Sequence, residues 1–237
     1  MRSFSIHFSL KKSVSLTKKN CMSETNLVVI LLIVANVLFS LKGFKEYSFF
    51  ERYKFNIAGI QKGEQIRMLS SGFLHADSMH LFFNMFTLYF FGPVVIVYVG
   101  ILKFLIIYVA SLLVGNIFSF VFHKNEPHYS AIGASGAVSG IIFSAILFRP
   151  DMSLYLMLIP IPIPAYIFGI GYLLYTIYGM KSRRDNIGHD AHFGGAVGGY
   201  LVTLIMAPWL FEQNLLMIGI LAIPIVILFI LQRLGKL

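Results

Sequence analysis

Long apolar runs recur along almost the whole chain, and they constrain its fold more than any other feature. Each has about 15 to 25 residues, the length of helix needed to cross the roughly 30 Å hydrocarbon core of a bilayer. The predicted membrane spans cover residues 27–41, 79–92, 102–122, 133–148, 154–178, 191–210 and 215–231. One cleaved signal peptide cannot account for several spans, so the sequence predicts an all-α polytopic membrane protein.

The composition is typical of a membrane protein and indicates which kinds of molecule the chain binds. Charged residues make up 12% of the chain and hydrophobic residues 57%, whereas a soluble domain carries about 25% charged residues. The net charge of +9 does not indicate nucleic acid, because basic residues in membrane proteins usually reflect loop topology and contacts with lipid headgroups. Membrane lipids are therefore the expected partners, and nucleic acid is not. The one cysteine, Cys21, forms no intramolecular disulfide.

The polar segments predict one membrane domain, 27–237, after a tail. Residues 1–26 hold lysines among serines and are predicted to be a flexible basic tail, most of which a start at Met22 would remove. Residues 42–79 mix charged and aromatic side chains, a composition typical of a segment lying in the membrane interface. Gly92-Pro93 is expected to end the second span, and "PIPIP" at 160–164 to break the first part of the fifth.

Ionisable and amide side chains within the spans are few, and such groups suggest function because they are costly in lipid. His80 and Asn84 are four residues apart in "HLFFN", so both project from one helical face. Taken alone, this pair also fits an ordinary hydrogen bond between helices, worth about 1 kcal/mol in membranes.

The sixth span carries a histidine beside a track of glycines. His192, Gly195 and Gly199 share one helical face, and their glycines allow a neighbouring helix to approach closely. The fourth span has a similar track, "GASGAVSG", next to Ser135. One such glycine pair is usually structural, but two packed tracks would bring His192 near Ser135.

A serine and a histidine in contact would suit nucleophilic catalysis. A serine hydroxyl is a weak nucleophile until a base takes its proton, and a neutral imidazole is matched to that task near neutral pH. The start of a helix at Ser135 would supply backbone N–H donors for an oxyanion, and the Asn84 amide and His80 ring could add side-chain donors. Asp190 does not share the helical face of His192, so a dyad is expected rather than a triad.

Three motifs together resemble the rhomboid family of intramembrane serine proteases: "HADSMHLFFNM" (75–85), "GASG" (133–136) and "AHFGGAVGG" (191–199). The resemblance implies a six-helix bundle, with its core at 27–210, and an added seventh transmembrane helix at 215–231. It implies an endopeptidase that cleaves transmembrane protein substrates and uses no cofactor and no metal. We expect an integral multi-pass protein of a bacterial inner (plasma) membrane.

The resemblance also assigns roles to individual residues. Ser135 is implied to be the nucleophile and His192 the general base. The groups implied to form the oxyanion site are His80, Asn84, the Ser135 backbone N–H and Gly133, which shapes the loop.

His75 matches a further family histidine with an expected structural role. Other positions depart from the family pattern. Ile66 precedes Arg67 where many members have a tryptophan, which concerns loop packing. Ser139 stands one helical turn after the nucleophile, where an aromatic residue often stacks on the histidine, and Ile96 replaces an acidic residue at the end of the second helix.

Three other functions compete with a protease. An inactive rhomboid-like protein that binds membrane clients usually lacks the serine or the histidine, and this chain has both. Another alternative is a transporter or a purely structural bundle, in which glycines pack helices and polar residues line a path; a transporter should show paired broken helices in two halves, and no such symmetry is found. The third competing function is that of a metal enzyme, whose candidate ligands are His75, His80, His189 and His192. The sequence has no HExxH motif and no intramembrane carboxylate to complete such a site.

Overall fold

The computed structural model describes residues 27–156, 159–182 and 184–236, and the predicted tail at 1–26 lies outside them. The chain is an all-α polytopic membrane protein. Its helices are α1 Leu27–Lys45, α2 Tyr47–Tyr53, α3 Ile57–Gln61, α4 Arg67–Ser70, α5 Ser78–His123, α6 Ser135–Phe148, α7 Ala165–Ser182, α8 His189–Met206, α9 Leu210–Gln213 and α10 Leu215–Arg233. Two short antiparallel pairs join β1 (Phe55–Asn56) to β2 (Ser130–Ala131) and β3 (Ser153–Leu156) to β4 (Ile159–Pro164).

Helix α5 is two consecutive membrane helices, and they meet at Gly100. That residue has φ +79°, which interrupts the 46-residue helix and which glycine adopts without steric cost. The predicted end of the second span at Gly92-Pro93 was wrong, because Pro93 lies inside the helix. A proline removes one backbone donor, and packing of the helix against its neighbours compensates for that loss in a membrane.

The fifth predicted span was wrong over its first part. Residues 154–164 belong to the β3–β4 hairpin, and α7 begins only at Ala165. The alternating isoleucines and prolines of "IPIPIP" have the two-residue period of a strand, and each proline lacks the N–H that a helix would need. The break predicted at the prolines is present, but it is a hairpin rather than an interrupted helix.

Helices α6 and α8 form the interior of the bundle. Every residue of α6 from Gly136 to Phe148 is buried. A Cβ on Gly195 would overlap the backbone of Gly136, and a Cβ on Gly199 would overlap that of Gly140. Backbones therefore touch along the two predicted glycine tracks, as small-residue packing in membranes allows.

Around this interior, the helices that are long and apolar enough to cross a membrane are α1, α5 and α10. The second half of α5 packs on both interior helices, and α7 packs against α6, α8 and α10. The first turns of α5 and α8 lie at the same end of the bundle as Ser135, the first residue of α6. The β3–β4 hairpin follows the opposite end of α6.

The segment between α1 and α5 is folded rather than extended. The Arg67 guanidinium donates to the carbonyl oxygens of Glu51 at 2.7 Å and Lys54 at 2.9 Å and pairs with Glu64. Ile66 is 57% exposed, so the residue before Arg67 contributes little to packing here. Short helices and polar caps are consistent with the predicted position of this segment in the membrane interface.

Candidate active site

Ser135 and His192 form a direct hydrogen bond. The Ser135 Oγ lies 2.6 Å from the His192 Nε2, although the residues come from the first turns of different helices. The two residues are brought together by the backbone contact between Gly136, one residue after Ser135, and Gly195, three residues after His192. With Nε2 unprotonated, the imidazole can take the hydroxyl proton.

No carboxylate among the described residues bonds to the His192 ring. The nearby Asp190 is buried and faces away, 3.4 Å from the Tyr129 hydroxyl and 3.7 Å from the His123 Nε2. The hydrogen bond of the His192 ring in the described part of the chain is thus the one to Ser135.

The loop before Ser135 depends on a glycine. Gly133 has φ +123°, a left-handed conformation that disfavours other residues. A Cβ here would lie 2.7 Å from the Cε1 and 2.9 Å from the Nε2 of His80, and 3.5 Å from the Ser135 Oγ. The His80 ring and the serine hydroxyl therefore border the same small space, which the missing side chain of Gly133 leaves open.

Two groups beside this space are candidate donors. No acceptor in the described part of the chain takes the backbone N–H of Ser135, at the positive end of α6. The Nδ1 of His80 accepts the Ala76 N–H at 3.5 Å, so the proton of the neutral ring is on Nε2, the atom that borders Gly133. Both groups can donate to an oxygen beside the Ser135 Oγ.

Asn84 is buried one turn after His80 and bonds to its own helix. Its Nδ2 donates to the His80 carbonyl oxygen at 3.0 Å. An amide group has two N–H bonds, and this contact uses one of them. The structure thus places Asn84 near the site, while its predicted donation to an oxyanion stays a prediction.

His75 connects α1 to the loop that carries the serine. The Ser40 hydroxyl donates to the Phe73 carbonyl oxygen at 3.0 Å, so its oxygen accepts from the His75 Nδ1 at 2.9 Å. The Nε2 of His75 is then free to accept the Ala134 N–H at 3.4 Å. Burial, followed by the proximity of His80, lowers the pKa of His75 to about 3, which keeps this bridge neutral.

The four histidines considered as metal ligands have separate partners, of which that of His80 is the Ala76 N–H described above. His189 bonds through Nε2 to the Asp185 carboxylate at 3.1 Å, and this bond holds the pKa of that carboxyl below its usual range. His192 bonds to Ser135, and His75 bonds to Ser40. Within the described residues, no three His, Cys, Asp or Glu side chains converge as the ligands of a metal do.

One residue at the site was not predicted from the sequence. Tyr172 of α7 stacks on the His192 ring, and its hydroxyl lies 2.6 Å from the Ser139 Oγ. Ser139 occupies the position where the family often has an aromatic residue, which was the available signal. That signal indicates an uncovered histidine face but does not say which of the tyrosines of α7 covers it.

Comparisons with known proteins agree with the motifs. Residues 62–209 match the family model of the Rhomboid domain. The chain is 29% identical to RHOMBOID-like protein 12, mitochondrial, of Arabidopsis thaliana, over 71% of this chain and 55% of that protein. It is 34% identical to rhomboid protease GluP of Bacillus subtilis over 61% of this chain and 26% of that protein. The chain thus spans about half the length of the first relative and about a quarter of the second.

Proposed function

The chain belongs to the rhomboid family, and from that premise we propose that it is an intramembrane serine endopeptidase. The observation that carries the proposal is the 2.6 Å bond between the Ser135 Oγ and the His192 Nε2. The nucleophile and its base are in reach of each other, as general-base activation requires. The protein is an integral multi-pass membrane protein, and its proposed substrates are transmembrane proteins.

In the first half of the reaction, the Ser135 Oγ attacks a substrate carbonyl carbon while its proton moves to the His192 Nε2. The carbonyl oxygen becomes an oxyanion, for which the Ser135 N–H, the His80 Nε2–H and the second Asn84 N–H are the proposed donors. The carbon–nitrogen bond then breaks, and the imidazolium gives its proton to the leaving nitrogen. An acyl group remains on Ser135.

In the second half of the reaction, a water molecule attacks the acyl carbon while His192 takes a proton from that water. The bond from carbon to the Ser135 Oγ breaks, and the oxygen regains its proton from His192. Each proton removed is returned within the cycle, so the proposed mechanism uses only side-chain and backbone groups of the chain and water. It requires no cofactor.

The short length of α6 supports a site below the membrane surface. Its 14 residues rise about 21 Å at 1.5 Å per residue, less than the roughly 30 Å of the hydrocarbon core. With its far end at one surface, the Ser135 end lies several ångströms short of the other.

We expect substrates whose transmembrane helix unwinds near the cleaved bond. An intact helix hides its carbonyl groups in hydrogen bonds, and lipid offers no replacement partner. A span containing glycine near the cut should therefore be cleaved faster than a polyleucine span of equal length, in reconstituted liposomes. Equal rates on the two spans would contradict this expectation.

The relatives come from two kinds of membrane-containing compartment, a bacterium and a mitochondrion. Rhomboid protease GluP is from Bacillus subtilis, whereas RHOMBOID-like protein 12 is named as mitochondrial. We propose a bacterial plasma membrane on the first of these likenesses.

The decisive experiment measures cleavage of a transmembrane test substrate and labelling by a fluorophosphonate, a reagent that reacts with activated serines. Wild type should cleave and should be labelled at Ser135, as located by mass spectrometry. Ser135→Ala and His192→Ala should lose both activities while unfolding at the wild-type temperature. Ser130→Ala, which changes an exposed serine near the same loop, is the matched control.

Each other outcome points to a different function. If wild type neither cleaves several unrelated substrates nor is labelled, a non-cleaving protein that binds membrane clients is favoured. If cleavage survives in Ser135→Ala and is abolished by a chelator, a histidine-metal enzyme is favoured.

A further inference from the structure

Tyr172 touches both the proposed base and the helix of the proposed nucleophile. Its ring lies 6.2 Å from that of His192 between centroids, with only 17° between the planes. Its hydroxyl lies 2.6 Å from the Ser139 Oγ, one helical turn after Ser135 on α6. The tyrosine therefore bridges from α7 to the two helices that hold the catalytic pair.

The hydroxyl groups of Tyr172 and Ser139 lie in apolar surroundings that offer few other hydrogen-bond partners. Ser139 is 2% exposed, and the Tyr172 ring also packs on Phe143 and Phe168. Buried hydroxyls need a partner, and these two satisfy each other. The bond fixes the height of the Tyr172 ring along α6, and thus the place where its face meets the imidazole.

The His192 ring lacks another polar anchor of this kind. In the described residues its one hydrogen bond is to Ser135, which must break and re-form during the proposed cycle. In a triad an acidic group orients the imidazole, but here Asp190 faces away. The aromatic neighbours that remain while this bond is exchanged are the nearly parallel Tyr172 ring and the His189 ring, which is edge-on at 6.4 Å.

We propose that Tyr172 is a positioning residue for His192, and that it makes the orientation of the base depend on the placement of α7. This inference rests on the proposed function. Two further contacts tie the next turns of α7 to the start of α8: Tyr175 meets the His189 ring edge-on at 5.1 Å, and Gly179 lies directly against that ring. A shift of α7 relative to α8 would therefore uncover the base.

The test compares four single variants and one double variant by kcat, KM and rate of fluorophosphonate labelling. Tyr172→Leu keeps apolar bulk but removes the aromatic face, and we expect kcat to fall about 10- to 100-fold with KM within about twofold, as for a misplaced catalytic group. Tyr172→Phe keeps the stack and loses only the hydroxyl bond, so it should restore most of that loss and remain about 2- to 10-fold below wild type. Tyr178→Ala, on an exposed position of the same helix, should match wild type.

Ser139→Ala removes the other partner of the hydroxyl bond. It should lower kcat as much as Tyr172→Phe, and the double variant should lose no more than either single one, because both changes delete the same bond. This cycle still decides the matter if Tyr172→Leu does not fold. Multiplied effects in the double variant would overturn the proposed bridge.

Failure of this inference differs from failure of the proposed function. If wild type cleaves and is labelled while folded Tyr172→Leu keeps the wild-type kcat, the positioning role is wrong and the protease remains. If Tyr172→Leu and Tyr172→Phe lose activity equally, stacking is not the cause. If wild type itself neither cleaves nor is labelled, the proposed function fails first.

Discussion

At the scale of single residues, Gly133 makes the sharpest demand on the site. A side chain there would be strained by its φ of +123° and would push against the His80 ring. We expect Gly133→Ala to lower cleavage by about 100-fold or more, because a displacement near 1 Å is enough for such a loss. Rates of substrate cleavage by the purified variant would measure this.

Gly63→Ala is the control for Gly133→Ala. Gly63 has a similar φ of +97°, but a Cβ there would meet no atom within 4 Å. It should cost about 1 to 2 kcal/mol of stability from the left-handed conformation and leave cleavage unchanged. Equal losses of activity in both variants would show that strain, rather than the space beside His80, is what matters.

Asn84→Ala tests the proposed oxyanion site directly. Loss of one donor should lower kcat by about 10²- to 10³-fold and change KM little, because the donor acts mainly in the transition state. Steady-state kinetics on one substrate would separate the two constants. An unchanged kcat would remove Asn84 from the oxyanion site and leave it with its bond to the His80 carbonyl.

The sequence predicts most residues of the site and the approach of His192 to Ser135, but it does not predict the contact of Tyr172 with His192. The motifs selected Ser135, His192, His80 and Gly133, and the structure brings these four together. Tyr172 escaped because helix α7 holds several tyrosines, and only the relative rotation of three helices decides which ring meets His192. Rotation of this kind depends on packing and leaves no local pattern.

At the scale of helices, the contact between α6 and α8 is the feature on which the site depends. Gly199→Leu would force a side chain into the backbone of Gly140. Overpacking of this kind typically costs about 1 to 3 kcal/mol or more, and it would also separate Ser135 from His192. We expect a lower unfolding temperature in detergent together with loss of cleavage.

Gly219→Leu is the matched change on α10. A Cβ at Gly219 has open space around it, and an added apolar side chain there would meet lipid. It should leave both the unfolding temperature and cleavage close to wild type. If Gly199→Leu behaves in the same way, the close approach of α6 and α8 is not required.

Two predicted helix boundaries differ from those in the structure, because boundaries depend on packing as well as on the local sequence. A proline ends a helix in water, yet Pro93 lies within α5, and the chain breaks instead at Gly100. The sequence contains both residues, but their effects depend on which backbone groups find partners after packing. The hairpin at 153–164 was missed for a related reason, since apolar composition is shared by spans and by strands.

At the scale of the whole molecule, the two ends of the bundle should face opposite sides of the membrane. The segments near the site include Lys62 and Lys181, whereas Asp151 follows the far end of α6. In a Cys21→Ser background, Lys62→Cys and Lys181→Cys should react with an impermeant maleimide from one side of sealed vesicles. Asp151→Cys should react from the other side only.

This labelling also settles an orientation that charge leaves open. Basic residues lie on both sides of the bundle, with Lys181 and Arg184 near the site and Arg149 at the far end, so the positive-inside tendency gives no clear answer. Reaction of Lys62→Cys and Asp151→Cys from the same side would contradict the arrangement of the helices in the bundle.

The β3–β4 hairpin has a consequence for how copies of the protein meet. The Ala165 N–H, next after β4, donates to the Met152 carbonyl oxygen across the hairpin at 2.8 Å, and alternate residues of a strand direct their N–H groups to opposite edges. The residues whose N–H would face outward are Pro160, Pro162 and Pro164, and proline has none. The outer edge of β4 thus offers acceptors without donors, which disfavours pairing of that edge with a strand of a neighbouring copy in the bilayer.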